Sequence, residues 1–156
     1  MYLDGRIDPV TMHGRFVRLE PLRAEHAGGL LVASDEDALR YMITQPRYWD
    51  LGGFMQYVDE LGSDPHAVAY AVIELATGRV AGTTSFMDIR MEHRGLEIGR
   101  TWLGAEFRGT KINPEMKLLM LRHAFEALAP PAIRVQFTTD ARNRHSQAAI
   151  AKLGAV

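Results

Sequence analysis

The chain has no cysteine in its 156 residues, which excludes disulfides, thiolate metal sites and a cysteine nucleophile. Its six histidines, His13, His26, His66, His93, His123 and His145, form no HExxH pair, so the helix of a zinc hydrolase is missing. There is no GxSxG turn, and His145 and Ser146 are neighbours in sequence, a poor geometry for a base and its nucleophile. No run approaches 18 apolar residues, and the opening MYLDGRIDPVTMHGR lacks an apolar targeting core. These two absences lead to the expectation of a soluble, cytoplasmic protein with no membrane partner. Charge of one sign is also lacking: 18 basic residues against 19 acidic give a net −1, without the basic stripe that nucleic acid requires. No repeat, low-complexity tract or linker divides the chain. At 47% hydrophobic it is expected to fold as one domain, residues 1–156, around a substantial core.

What the chain does carry is concentrated between Leu96 and Leu128, LEIGRTWLGAEFRGTKINPEMKLLMLRHAFEAL, which reads as a strand, a basic loop broken by glycine, and a helix. Asn113 is a preferred N-cap residue and Pro114 suits a first helical position, so the spacing predicts a helix starting at Pro114. Its free N–H groups and the positive end of its dipole then face the loop Phe107–Ile112. Arg108, Lys111 and Lys117 stand against one acid, Glu115, for a local charge of +2. This is a ready anion site, suited to a phosphate or pyrophosphate. It is not the P-loop cradle, because Gly104 is followed, after four intervening residues, by Gly109-Thr110-Lys111 rather than GK[ST]. At about 100° per residue, Glu115, Arg122 and Glu126 form a solvent stripe, while Lys117 falls on the apolar side with Met120, Leu121, Ala124 and Leu128. A lysine there either snorkels past the helix end or meets an anion at it. The same segment also reads as an ordinary surface loop before an ordinary helix.

Taken in order, Gly14–Leu22 is rich in β-formers and stops at Pro21. Ala24, Ala27, Leu30 and Leu31 recur at helical spacing, and Asp35 is placed to cap a short helix carrying Ala38, Leu39 and Met42. A loop over 44–53, with Tyr48 and Trp49, precedes a helix marked by Phe54, Tyr57, Val58 and Leu61. Residues 67–75 and 79–89 form a hairpin across Ala76-Thr77-Gly78. After the central helix, Pro130-Pro131 ends the helical pattern, and Ile133, Val135 and Phe137 alternate with polar residues as in a half-buried strand. Strand, helix and strand make a parallel crossover, with the anion loop at the carboxyl end of its first strand. In the last segment, NRHSQAAIAKLGAV, Asn143 caps a helix with Ala148, Ile150, Ala151 and Leu153 as its buried side and Gly154 as its stop.

The series EIG-x-x-(W)L-x-x-x-x-RGT-x-x-NPE-x-K, with D-x-RN-x-x-S-x-x-x-x-x-KLGA further on, resembles the GNAT superfamily of N-acetyltransferases. It looks most like the branch of ribosomal-protein N-terminal alanine acetyltransferases. The resemblance implies an α/β (α+β) domain, a mixed central sheet flanked by helices with a parallel βαβ core over residues 96–139. It implies acetyl-CoA as cosubstrate, its pyrophosphate on the loop Arg108, Gly109, Thr110, Lys111, Ile112 and Asn113, with Lys117 as a nearby cation. The arm would pair with Thr101, Trp102 and Leu103, and Asn143 and Ser146 would lie beside the thioester sulfur. Glu97 matches a position that serves some relatives as a base, often through water. Lys111 replaces a glycine of the family pattern, so strain is expected there if its φ is positive. The chain stops at Val156, where the family continues with a strand and closing hairpin, so the domain is expected to be C-terminally incomplete.

The implied reaction is attack of a neutral amine on the acetyl thioester, with a protein N-terminus or a small amine as acceptor and a homodimer as the family assembly. An α-amine, with a pKa near 7.8, loses its proton at pH 7 for about 1 kcal/mol, against roughly 4.6 kcal/mol for a lysine amine. With Glu97 the one motif-matched acid, an acceptor of low pKa is favoured, and Ser146 is the hydroxyl placed to protonate the leaving thiolate. The alternative function is a non-catalytic coenzyme A-binding module.

Overall fold

Alternating apolar side chains build a six-stranded sheet, packed on both faces. The computed structural model of the chain describes residues 2–3 and 6–156. Two short strands, β1 (Tyr2–Leu3) and β2 (Arg6–Ile7), pair with each other. The main sheet runs in chain order: β3 (Met12–His13), β4 (Val17–Pro21), β5 (Val68–Glu74), β6 (Val80–Arg90), β7 (Gly95–Leu103) and β8 (Arg134–Gln136). Every neighbouring pair is antiparallel except β7 and β8, which are parallel, as the crossover reading requires.

Helices α1 (Ala27–Ala33), α2 (Glu36–Leu39) and α3 (Leu51–Gly62) precede the hairpin, α4 (Ile112–Arg122) joins β7 to β8, and α5 (Arg144–Ala151) follows. Asp35 and Asp50 cap α2 and α3, their carboxylates accepting from Ala38 and Gly53 N–H. One face of the sheet buries Leu19, Val72, Phe86, Leu96 and Ile98 against Met116 and Met120 of α4 and Ala124 just beyond it. The other buries Ala69 and Trp102 against Leu30, Phe54, Tyr57 and Leu61. Among the described residues no helix is long and apolar enough to cross a membrane.

Several expectations are corrected. Helix α4 starts at Ile112 with Lys111 at its cap, so Asn113 lies inside the first turn and caps nothing. Glu115 does not face solvent: its carboxylate accepts from the N–H groups of Arg15 (2.6 Å), Phe16 (2.6 Å) and Val17 (2.8 Å), tying the start of β4 to α4. The last strand is shorter than 133–139, with Ile133 at 66% exposure; Val135 and Phe137 do pack on the core. The apolar residues expected to bury α5 do not, for none of that helix is buried. Ile150 on that face is only half-buried, and Ala148, Ala151 and Leu153 are exposed.

Because three backbone donors converge on one carboxylate, Glu115→Ala is expected to lower unfolding free energy by about 2–3 kcal/mol. Urea denaturation measures this, and an unchanged midpoint would show the tie to be incidental.

Candidate functional site

Between β7 and α4 the chain passes a short 3₁₀ turn, Ala105–Phe107, and then opens. Gly109 takes the left-handed conformation (φ 70°) that glycine adopts without steric cost. Thr110 Oγ1 donates to the Phe107 carbonyl at 2.7 Å and accepts weakly from Ile112 N–H at 3.3 Å. Among the described residues, the N–H groups of Gly109, Lys111 and Asn113 have no protein acceptor, while that of Thr110 closes the turn after Phe107. Three unpaired donors at the positive end of α4 make a main-chain cluster whose chemistry suits an anion. Two open grooves of ≈ 490 and ≈ 500 Å³ border it, both lined by Phe16, Thr110 and Lys111.

The charges there are distributed differently from the sequence expectation. Lys111 has φ −75° and ψ −5°, so lysine in place of the family's glycine carries no backbone strain. Its ammonium lies 4.8 Å over the Phe16 ring, exposed at the groove. Arg108 turns away: Nε donates to the Leu103 carbonyl (3.0 Å) and the guanidinium pairs with Asp37 (3.3 Å) and Asp35 (3.8 Å) of the α2 region. Its own N–H points at Ala105 O, at 3.4 Å. Arg108 therefore fastens the loop to the end of β7 and to the α2 region.

The pairing of β7 with β8 ends at Glu97 opposite Gln136, while β7 runs on to Leu103. Beyond Glu97 the edge of β7 away from β6 therefore has no strand partner as it runs through Thr101, Trp102 and Leu103, where the Leu103 carbonyl is taken by Arg108. Within this stretch β7 carries a bulge: Thr83 faces Trp102 and Ser85 faces Gly99, so Thr84 alone opposes Arg100 and Thr101. Arg100 takes φ 49°. One extra residue reverses the side-chain alternation. Ile98 faces α4, but Trp102 faces the opposite core, its Nε1 donating to Tyr57 Oη at 3.1 Å. Gly82 permits the close approach, since any side chain there would meet the Trp102 carbonyl.

Glu97 is half-buried on the face away from α4, accepting from Gln136 Nε2 at 3.5 Å. Neither arginine beside it pairs with it: Arg94 donates to the Pro131 carbonyl and Arg100 to Asp64 at 2.8 Å. Asn143 caps α5, its side-chain oxygen accepting from Ser146 N–H at 3.1 Å. Ser146 is half-buried, and no hydrogen bond joins it to Glu97.

Lys117 neither snorkels out nor reaches the helix mouth. It is 7% exposed, its Nζ donating to Thr101 Oγ1 at 2.9 Å and lying 5.5 Å from the Phe137 ring centroid. The Thr101 hydroxyl shares a 2.8 Å hydrogen bond with Thr84 Oγ1. No carboxylate among the described residues partners the amine, and burial lowers its pKa from 10.5 to about 7. Sequence reasoning missed Thr84. The run Thr83-Thr84-Ser85 inside an otherwise apolar strand was the available signal, since all three are fully buried.

A family model described as an acetyltransferase (GNAT) domain matches residues 17–156. A solved structure described as an acetyltransferase from T. thermophilus is 38% identical, covering 97% of this chain and 78% of its own, with a TM-score of 0.88. A ribosomal-protein-serine acetyltransferase structure from Vibrio cholerae shares the fold at 17% identity, covering 96% of this chain and 85% of its own (TM-score 0.77). So does the microcin C7 self-immunity acetyltransferase in complex with acetyl-CoA and AMP, at 17% identity, covering 90% and 79% (TM-score 0.73). No curated protein matches the chain at a significant level.

The buried amine predicts a pH signature. Its folded pKa is about 7 against 10.5 for a free lysine, so over that window the unfolded chain binds the additional proton. Stability therefore rises with pH between the two values, and the full burial cost is felt below about 7. Lys117→Met is expected to raise unfolding free energy at pH 7 by about 2–4 kcal/mol, a gain that shrinks towards pH 10. A pH-independent gain, or a loss at pH 7, in denaturation series would contradict this.

Proposed function

This chain belongs to the acetyltransferase (GNAT) family, and from that premise we propose that it passes the acetyl group of acetyl-CoA to a primary amine of low pKa, an α-amine foremost. The family's cosubstrate is acetyl-CoA, which supplies the acetyl group as a thioester. The observation that carries the reading is that the edge of β7 left without a strand partner beyond Glu97 leads straight into the main-chain donors at the mouth of α4. The first suits an extended amide-bearing arm, which adds to a sheet edge as a strand does. The second suits a diphosphate. Lys111, beside the groove, adds a cation.

Glu97 takes the acceptor's proton, directly or through water, so that the neutral amine forms the new C–N bond. The C–S bond breaks, and Ser146 lends its hydroxyl proton to the departing thiolate, regaining one from solvent. An α-amine fits this modest machinery, because roughly a tenth is neutral at pH 7 without help. A lysine acceptor would ask several kcal/mol more of a single carboxylate.

Calorimetry with acetyl-CoA is expected to show one site, weakened about tenfold by Gly109→Val, which forces a branched side chain into left-handed backbone. Coenzyme A release is then compared for an Ala-initiated peptide, a polyamine and an aminoglycoside, the peptide being expected to react fastest. Ser146→Ala is expected to lower kcat about 10- to 100-fold with acetyl-CoA affinity held within about threefold. Absence of binding, or binding without release for any amine, would contradict the reading; the latter favours a coenzyme A-binding module.

A further inference from the structure

An amine buried without a carboxylate beside it works against stability, so Lys117 calls for a reason. Its Nζ donates to Thr101 Oγ1, on β7 beyond the last position paired with β8, and lies over Phe137, the first residue after β8. One amine thus touches both sides of the wedge where the two strands part. Thr101 also adjoins the bulged residue. On the α3 face, the Arg100 carbonyl accepts from Thr83 Oγ1 at 3.0 Å and the Arg100 guanidinium pairs with Asp64. On the α4 face, the Thr101 hydroxyl is held between Thr84 at 2.8 Å and Lys117 at 2.9 Å. The bulge is pinned from both sides of the sheet, and Lys117 is the pin that comes from outside β6 and β7 on the α4 face.

We propose that Lys117 is a positioning residue for acyl transfer, which through the Thr101 hydroxyl fixes the extra residue of β7 and so aims the backbone N–H groups on that strand's free edge. The proposal rests on the acyl-transfer reading given above. A lysine amine donates a hydrogen bond whether or not it is protonated. Methionine keeps comparable reach and apolar contact but has no donor, so Lys117→Met removes the pin and leaves the packing.

Amide hydrogen exchange over residues 99–103, on the full chain without ligand, tests the pin independently of activity. Lys117→Met and Thr101→Val are each expected to speed exchange there at least about tenfold, whereas Thr101→Ser, which keeps the hydroxyl, exchanges like the wild type. With acetyl-CoA and an Ala-initiated peptide, Lys117→Met is expected to lower kcat about 10- to 100-fold while acetyl-CoA Kd changes less than about threefold. Wild-type exchange in Lys117→Met, or equal losses in affinity and turnover, overturns the proposal. A wild-type chain that binds no acetyl-CoA overturns the acyl-transfer reading instead, and the exchange rates then still decide whether the pin exists.

Discussion

At Arg100, β7 takes one residue more than the strand it faces, and the arrangement of the site follows from that insertion. Before it, the even-numbered residues Leu96 and Ile98 enter the core beneath α4; after it, Trp102 enters the opposite core and Thr101 and Leu103 turn towards α4. Without the bulge, Thr101 would project to the α3 face, out of reach of Lys117, and Trp102 would be driven into Met120 and its neighbours. The insertion also falls just past the end of the β7–β8 pairing, so strand direction and strand separation change together. A cleft in the sheet arises from local register rather than from any movable segment.

The second feature is a division of labour among charges. Arg108 and Glu115, the arginine of the loop and the acid of the first turn of α4, both serve as ties: one to α2 and the end of β7, the other to three amides at the start of β4. Held from both flanks, the loop keeps the N–H groups of Gly109, Lys111 and Asn113 unpaired. On the proposed function, recognition of the diphosphate depends on main-chain geometry, which needs no particular side chains and tolerates lysine at 111. Fixed dipoles of this kind lose little conformational freedom on binding, unlike long cationic side chains on a surface.

Much of this architecture was legible in the sequence, because periodicity reports burial. The order of strands and helices, the hairpin, the parallel crossover, the caps at Asp35 and Asn143 and the open loop between β7 and α4 all follow from spacing and turn chemistry. What failed did so for physical reasons. Asn113 looks like an N-cap, but Gly109 supplies the turn earlier and the helix begins before it. Glu115 looks like a solvent residue on a helical wheel, which cannot show a strand 100 residues away in sequence supplying three donors. Lys117 sat on the apolar face as the wheel indicated, but its partner lies across a bulge that Gly99-Arg100-Thr101 does not announce. Only the buried hydroxyl run of β6 hinted at it. The roles of Glu97 and Ser146 belong to chemistry that geometry supports but does not by itself assign.

The most direct test of the central claim, that main-chain donors after β7 hold the diphosphate of acetyl-CoA, is an amide NMR titration of the full chain with acetyl-CoA. The largest shifts are expected at Gly109, Thr110, Lys111 and Asn113, with a second set along residues 101–103. Saturable shifts confined to other surfaces, with the amides of 109–113 unmoved, would contradict it.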